Sequence, residues 1–162
     1  MIGFIRGDLR HCIGADANWV VALAISSYTE TFGHLLPNMQ DKKQGKKVIR
    51  VENFRCYNEF LTKWMNYGHL IDPKRPSALY DEVRNGLSHE YLLKVDSEVN
   101  MGTGQCGIEI ITKRKRKFIR FNLITYYNDF MEAVKKYQKA IQTNTKLQQA
   151  FDTRMKGKQR LK

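Results

Sequence analysis

The chain has 162 residues, 42% of them hydrophobic and 27% charged, which is the length and composition of one globular domain and excludes a disordered chain. Its longest apolar run, residues 19–25, is too short to cross a bilayer, so a transmembrane helix is excluded as well. The net charge of +12 favours a polyanion as partner, nucleic acid before anionic lipid, although a basic surface can also serve solubility alone.

The first predicted helix runs from Ala15 to Leu36, because apolar residues recur there at steps of three and four. Pro37 follows it and cannot continue a helix, so we expect the helix to end there. Residues 40–47 are polar and rich in lysine, and they predict an exposed, positively charged loop.

A second helix is predicted from Asn53, a plausible N-cap, to Gly68. Its aromatic stripe is predicted to face the core rather than to stack on nucleic-acid bases. The stripe consists of Phe54, Tyr57, Phe60, Leu61, Trp64 and Met65. A third helix is predicted from about Ala78 to Leu93, with Ser77 as its candidate cap.

The spacing of apolar residues then changes from a helical to a strand period. Residues 108–112 are apolar and β-branched and residues 117–123 partly alternate, which predicts a β-hairpin whose turn runs from Lys113 to Arg116. Helical spacing returns after this hairpin, from Thr125 or Asn128 to about Phe151.

These elements predict a mainly α-helical bundle of about four helices with a β-hairpin inserted before the last helix. We expect one domain over residues 1–151 and a basic C-terminal tail over residues 152–162, frayed from Arg154 onward. The N-terminal residues lack a secretion signal, so the predicted location is cytoplasmic.

Three cysteines, Cys12, Cys56 and Cys106, lie far apart in the sequence and form no C-x-x-C pair. They indicate neither a disulfide framework nor a zinc site, and we expect buried free thiols. No cofactor or metal is predicted.

The stretch Arg84-Asn85-Gly86-Leu87-Ser88-His89-Glu90-Tyr91 gathers the residues best suited to chemistry. An arginine is permanently charged and forked to bind phosphate oxygens, while a histidine can take or give a proton near neutral pH. RNA brings its own nucleophile, the 2′-hydroxyl, so these residue types can promote its attack on the adjacent phosphorus without a metal.

The spacing alone leaves other interpretations open. On a straight α-helix Arg84 and His89 lie about 140° apart, so a single helix is an awkward catalyst. Asp81 could pair with Arg84 one turn away, and His89 could be a partly buried histidine with a structural role.

This stretch, preceded by Leu79-Tyr80, resembles the signature of the HEPN superfamily of small helical proteins: an arginine, a polar residue, a spacer and a histidine. It also resembles the Arg-x4-His-x-Tyr form found in toxins that are paired with minimal nucleotidyltransferase antitoxins. The resemblance implies a metal-independent endoribonuclease in which Arg84 and His89 are the catalytic pair and Asn85 assists. It further implies that Tyr91 is the tyrosine that some antitoxins adenylylate, and that two copies of the chain form a homodimer with both motifs facing one cleft.

The predicted hairpin turn is the densest positive segment and could bind an RNA backbone, although a solvated turn with core-facing phenylalanines explains it equally well. Its candidate RNA-binding residues are Lys113, Arg114, Lys115, Arg116, Lys117 and Arg120. We therefore predict an endoribonuclease that acts on RNA. The alternatives are a non-catalytic HEPN-like binding or scaffold protein and a protein that binds RNA through its basic surfaces alone.

Overall fold

A computed structural model describes residues 2–39, 41–44, 47–89, 97–113 and 116–159. Its helices are α1 (Ile2–Gly14), α2 (Asn18–His34), α3 (Asn53–Lys63), α4 (Ala78–Tyr80), α5 (Gly86–His89), α6 (Leu123–Thr143) and α7 (Thr145–Gln159). Its strands are β1 (Lys42–Gln44), β2 (Lys47–Ile49), β3 (Ser97–Asn100), β4 (Ile108–Lys113) and β5 (Arg116–Asn122). The predicted mainly α-helical class is confirmed.

A π-helical turn, Asp81–Asn85, joins α4 to α5. We call the continuous stretch of α4, the π turn and α5, residues 78–89, the motif helix. Two short 3-10 turns, Pro37–Met39 and Gly68–Leu70, follow α2 and α3 respectively.

The central element of the bundle is α2, which contacts α1, α3, α6 and the motif helix. Its closest approach is to α3, where Gly33 lies against the backbone of Cys56, and a Cβ atom at Gly33 would overlap the Cys56 carbonyl group. Beyond this contact an aromatic cluster fills the core, with the rings of Phe32 and Phe60 stacked at a centroid distance of 5.3 Å and Tyr137 edge-on to both.

The aromatic stripe of α3 faces the core, as predicted. Tyr57, Phe60 and Leu61 are buried, and Phe54 is partly buried against the same core. The helix ends at Lys63 and not at Gly68 as predicted, so Trp64 and Met65 pack against the core from just beyond it.

A three-stranded sheet with strand order β3-β5-β4 lies between the motif helix and α6 in the chain. Strands β4 and β5 form the predicted hairpin, with Lys113 opposite Arg116. Strand β3 was not predicted; it pairs in parallel with β5, Ser97 lying opposite Ile119. Such a strand gives little local signal, because its partner β5 lies beyond an intervening strand, β4, in the chain.

Two more elements at the start of the chain were missed. Helix α1 was not predicted because its glycines weaken the helical propensity, yet Ile5 and Leu9, one turn apart, are buried in the core. The segment predicted as a loop over residues 40–47 contains β1 and the first residue of β2, which pair in antiparallel fashion with Gln44 opposite Lys47.

Two asparagines have other roles than those predicted. Asn53 is the first residue of α3 rather than its N-cap, which is Glu52. Asn144 divides the predicted last helix into α6 and α7, because its Oδ1 accepts the backbone N–H groups of Lys146 and Leu147 in the geometry of an N-cap. The segment from Arg154, predicted to fray, is helical as far as Gln159.

Across the described ranges, no helix combines the length and the apolar character needed to cross a membrane.

Replacing Gly33 by alanine is expected to lower the free energy of unfolding by about 1–3 kcal/mol or more, because the new methyl group must separate α2 from the Cys56 backbone. Urea denaturation measures this change. The matched control is Gly7→Ala on α1, where no atom lies within 4 Å of the added Cβ, so the helix propensity of alanine should leave the stability unchanged or raise it. Equal effects at the two positions would contradict the close contact.

Candidate functional site

The motif helix is not the straight α-helix that the sequence predicted. The backbone N–H of Gly86 donates to the carbonyl oxygen of Asp81, five residues earlier, which is the hydrogen bond of a π turn. This wider turn rotates the residues that follow it relative to Ala78–Tyr80 at the start of the motif helix. Single π turns inside α-helices are frequent at functional sites.

Arg84 lies between the motif helix and α2. Its Nε atom is 2.6 Å from Oε2 of Glu30, in an ion pair whose N–H bond is not aligned with the oxygen. Its Nη1 donates to Oγ of Ser88 at 3.3 Å, and the guanidinium carbon is 5.9 Å from the centre of the Tyr80 ring. The Arg84 side chain is 25% exposed and the Glu30 side chain 11%, so the arginine is the outer member of the pair.

Tyr80 completes the surroundings of the buried carboxylate, because its hydroxyl donates to Oε2 of Glu30 at 3.1 Å. Burial and the nearby Glu30 charge raise the pKa of Tyr80, which therefore remains a hydrogen-bond donor at neutral pH. We call Glu30, Tyr80, Arg84 and Ser88 the Glu30 cluster.

Asn85, the predicted assisting residue, contacts a different partner from Arg84. Its Nδ2 donates to Oδ1 of Asp81 at 3.0 Å, on the neighbouring face of the motif helix. The alternative in which Asp81 pairs with Arg84 is therefore replaced by a Glu30–Arg84 pair and an Asp81–Asn85 pair.

The side chains of two predicted site residues are not described. His89 is the last residue of α5, but only its backbone is described, and Tyr91 is not described at all. The roles of both therefore remain predictions.

The basic hairpin is described in part. Lys113 ends β4 and Lys117 lies in β5, in each case without a described side chain, and Arg114 and Lys115 lie outside the described residues. Arg116 begins β5 and its side chain is exposed.

Arg120, the remaining residue of the basic set, lies among acidic residues of the sheet. Its guanidinium is 3.3 Å from a carboxylate oxygen of Glu98 and 3.8 Å from one of Glu109. A contact of Arg120 with RNA stays a prediction and would compete with these two ion pairs.

A second set of polar contacts surrounds His34, which lies one turn after Glu30 on α2. His34 Nε2 is 4.0 Å from Oε1 of Glu30 and donates to Oδ1 of Asn53 at 3.2 Å. The other ring nitrogen, Nδ1, accepts from the Cys56 thiol at 3.2 Å and from Arg154 of α7 at 3.4 Å. An arginine can only donate, so His34 is the neutral tautomer with its proton on Nε2.

Burial affects the protonation of both His34 and Cys56. Desolvation, and next the positive charge of Arg154, lower the pKa of His34. Burial raises the pKa of the Cys56 thiol to about 11, so Cys56 is a protonated, unreactive thiol near neutral pH. The expectation of buried free thiols holds for Cys56, whereas Cys12 and Cys106 are free but only partly buried.

Sequence reasoning missed Glu30, His34 and Arg154. A signal existed for the first two, because they are the only acidic or basic side chains in α2, whose other residues are mostly apolar or small. A charged residue in such a helix rarely stays buried without a partner. No local pattern indicated Arg154, which reaches α2 from a segment predicted to be frayed.

Within the described residues, no three His, Cys, Asp or Glu side chains are grouped so as to hold a metal ion. Comparisons of the chain with protein-family models, with curated proteins and with solved structures found no significant match.

His34 predicts a loss of stability on acidification. Its folded-state pKa lies below the ordinary value of 6.5, so an unfolded chain takes up a proton at that histidine before the folded protein does. The free energy of unfolding should therefore decrease as the pH falls through and below about 6.5, and His34→Gln should weaken this dependence. Urea denaturation at several pH values measures it, and an unchanged dependence in His34→Gln would contradict the assignment. The control is His69→Gln, which replaces an exposed histidine.

Proposed function

We propose that the chain is a HEPN-like, metal-independent endoribonuclease in which Arg84 and His89 act on the RNA backbone. The observation that carries the proposal is the partly exposed Arg84 on a helix with a π turn, five residues before a histidine. In this site Asn85 assists, and no cofactor takes part.

In the proposed reaction the 2′-hydroxyl oxygen of one nucleotide bonds to the adjacent phosphorus, and the bond from phosphorus to the 5′-oxygen of the next nucleotide breaks. A base removes the proton of the 2′-hydroxyl and an acid protonates the leaving 5′-oxygen, which leaves a cyclic phosphate and a 5′-hydroxyl end. His89 supplies proton transfer, and Arg84 stabilises the negative charge that develops on the phosphate oxygens.

The resemblance also implies the assembly. In a homodimer with both motifs at one cleft, two copies of His89 would face one scissile bond, one as base and the other as acid. The same resemblance makes the chain a candidate toxin whose Tyr91 is adenylylated by a nucleotidyltransferase antitoxin.

A second candidate is a non-catalytic HEPN-like protein that binds RNA or serves as a scaffold. The ion pair between Arg84 and the buried Glu30 favours it, because a paired arginine can serve to hold two helices together. The experiment that separates the two candidates is an RNA cleavage assay.

We expect the purified protein to cleave labelled RNA in the presence of a chelator. His89→Ala and Arg84→Lys should each reduce the rate on the order of 100-fold, since one removes the proton-transfer group and the other keeps the charge but loses the forked contact with phosphate. His11→Ala and Arg55→Lys, at exposed positions outside the site, are the matched controls. Binding without cleavage by the unmodified protein would favour the second candidate.

The basic hairpin should contribute affinity that does not depend on RNA sequence. We expect Arg114→Gln combined with Lys115→Gln to weaken RNA binding and to reduce the slope of log affinity against log salt by about 0.7 for each phosphate that the variant no longer neutralises. Filter binding at several salt concentrations measures both. The control is Lys135→Gln with Lys139→Gln, which removes the same charge from exposed positions of α6. Equal effects of the two double variants would mean that only net charge matters.

A further inference from the structure

We infer that Glu30 of α2 is a positioning residue, which holds the Arg84 guanidinium in the orientation that contacts a phosphate. The inference rests on the proposed function, since it assigns to Glu30 a role in the same site. It is carried by the geometry of the Glu30 cluster, in which one buried carboxylate lies against the partly exposed Arg84, the only basic residue of the motif helix whose side chain is described.

The Glu30 carboxylate is itself fixed. The residue is 8% exposed, and Oε2 receives the Tyr80 hydroxyl at 3.1 Å in addition to the Arg84 contact. An anchored carboxylate beside the Nε side of a guanidinium limits the rotation of the long arginine side chain, whose freedom would otherwise be large. Ser88 and the Tyr80 ring restrain the same guanidinium from two further directions.

The relative exposure of Arg84 and Glu30 determines which of the two an approaching anion contacts first. Because the Arg84 side chain is more exposed than the Glu30 side chain, a phosphate reaches the guanidinium first, with the carboxylate behind it. An anion would still feel some repulsion from Glu30. The carboxylate should therefore improve the orientation of Arg84 while slightly opposing the binding of RNA.

The carboxylate thus favours catalysis by orienting Arg84 and opposes RNA binding by repulsion, and Glu30→Gln separates these two effects. Glutamine has nearly the same volume and can still accept from Tyr80, but it removes the charge that holds Arg84. We expect kcat for RNA cleavage to fall on the order of 10-fold, since small misplacements of a catalytic group are costly, while KM stays the same or falls. Glu30→Asp, which keeps the charge, should recover part of kcat.

The matched control is Glu132→Gln, which makes the same chemical change in an exposed ion pair with Lys136 on α6 and should leave both constants within about twofold. Circular dichroism establishes that each variant is folded at the assay temperature. An unchanged kcat per folded molecule in Glu30→Gln, or a rise in KM alone, would overturn the inference.

A second measurement does not require cleavage. In nitrogen-15 NMR spectra, the Nε–H signal of Arg84 is identified by its loss in Arg84→Lys, and a 2′-O-methyl RNA oligonucleotide serves as an uncleavable probe. We expect the oligonucleotide to shift this signal in the unmodified protein, and Glu30→Gln to move the free signal toward that of an unrestrained arginine.

If the unmodified protein cleaves no RNA but both shifts occur, the proposed enzyme activity fails and the positioning role stands. If the oligonucleotide does not shift the Arg84 Nε–H signal, the positioning role is overturned whatever the cleavage result. The same holds if the free signal has the same position in Glu30→Gln as in the unmodified protein.

Discussion

The ion pair between Glu30 and Arg84 joins the central helix of the bundle to the motif helix, and the geometry of the candidate site depends on it. The motif helix is attached to the core by buried Leu79, Val83 and Leu87. A buried carboxylate that loses its charged partner is costly, so a shift of the motif helix that separates Arg84 from Glu30 is unfavourable. The pair therefore restricts the register in which the motif helix can pack.

The same face of α2 also connects segments that are remote in the sequence. Through His34 it reaches Asn53 and Cys56 at the start of α3 and Arg154 in α7. A neutral histidine can serve all three because one ring nitrogen donates and the other accepts. The close packing at Gly33, in the same turn of α2, brings α3 near enough for these contacts.

The positive charge of the protein is of two kinds. Arg84, Arg120 and Arg154 each lie within 4 Å of a carboxylate and are only partly exposed, so part of their charge is neutralised within the fold. Exposed side chains such as Lys135 and Lys139 lie on the solvent face of α6. These exposed lysines therefore contribute charge to the surface, whereas the charge of the three arginines is partly balanced by neighbouring carboxylates.

The sequence by itself determined the mainly helical class, the core-facing stripe of α3, the β4–β5 hairpin and the position of Arg84 and Asn85 on a helix, because each of these follows from the spacing of neighbouring residues. It did not determine α1 or β3, because α1 is stabilised by burial in the core and β3 by pairing with the distant strand β5. It also predicted one helix through Asn144, whose side chain instead caps the start of α7. Only the tertiary structure decided that Arg84 pairs with Glu30 rather than with Asp81, and that a π turn interrupts the motif helix. Glu30 and Arg84 lie on helices that are far apart in the chain, so no local pattern contains their contact.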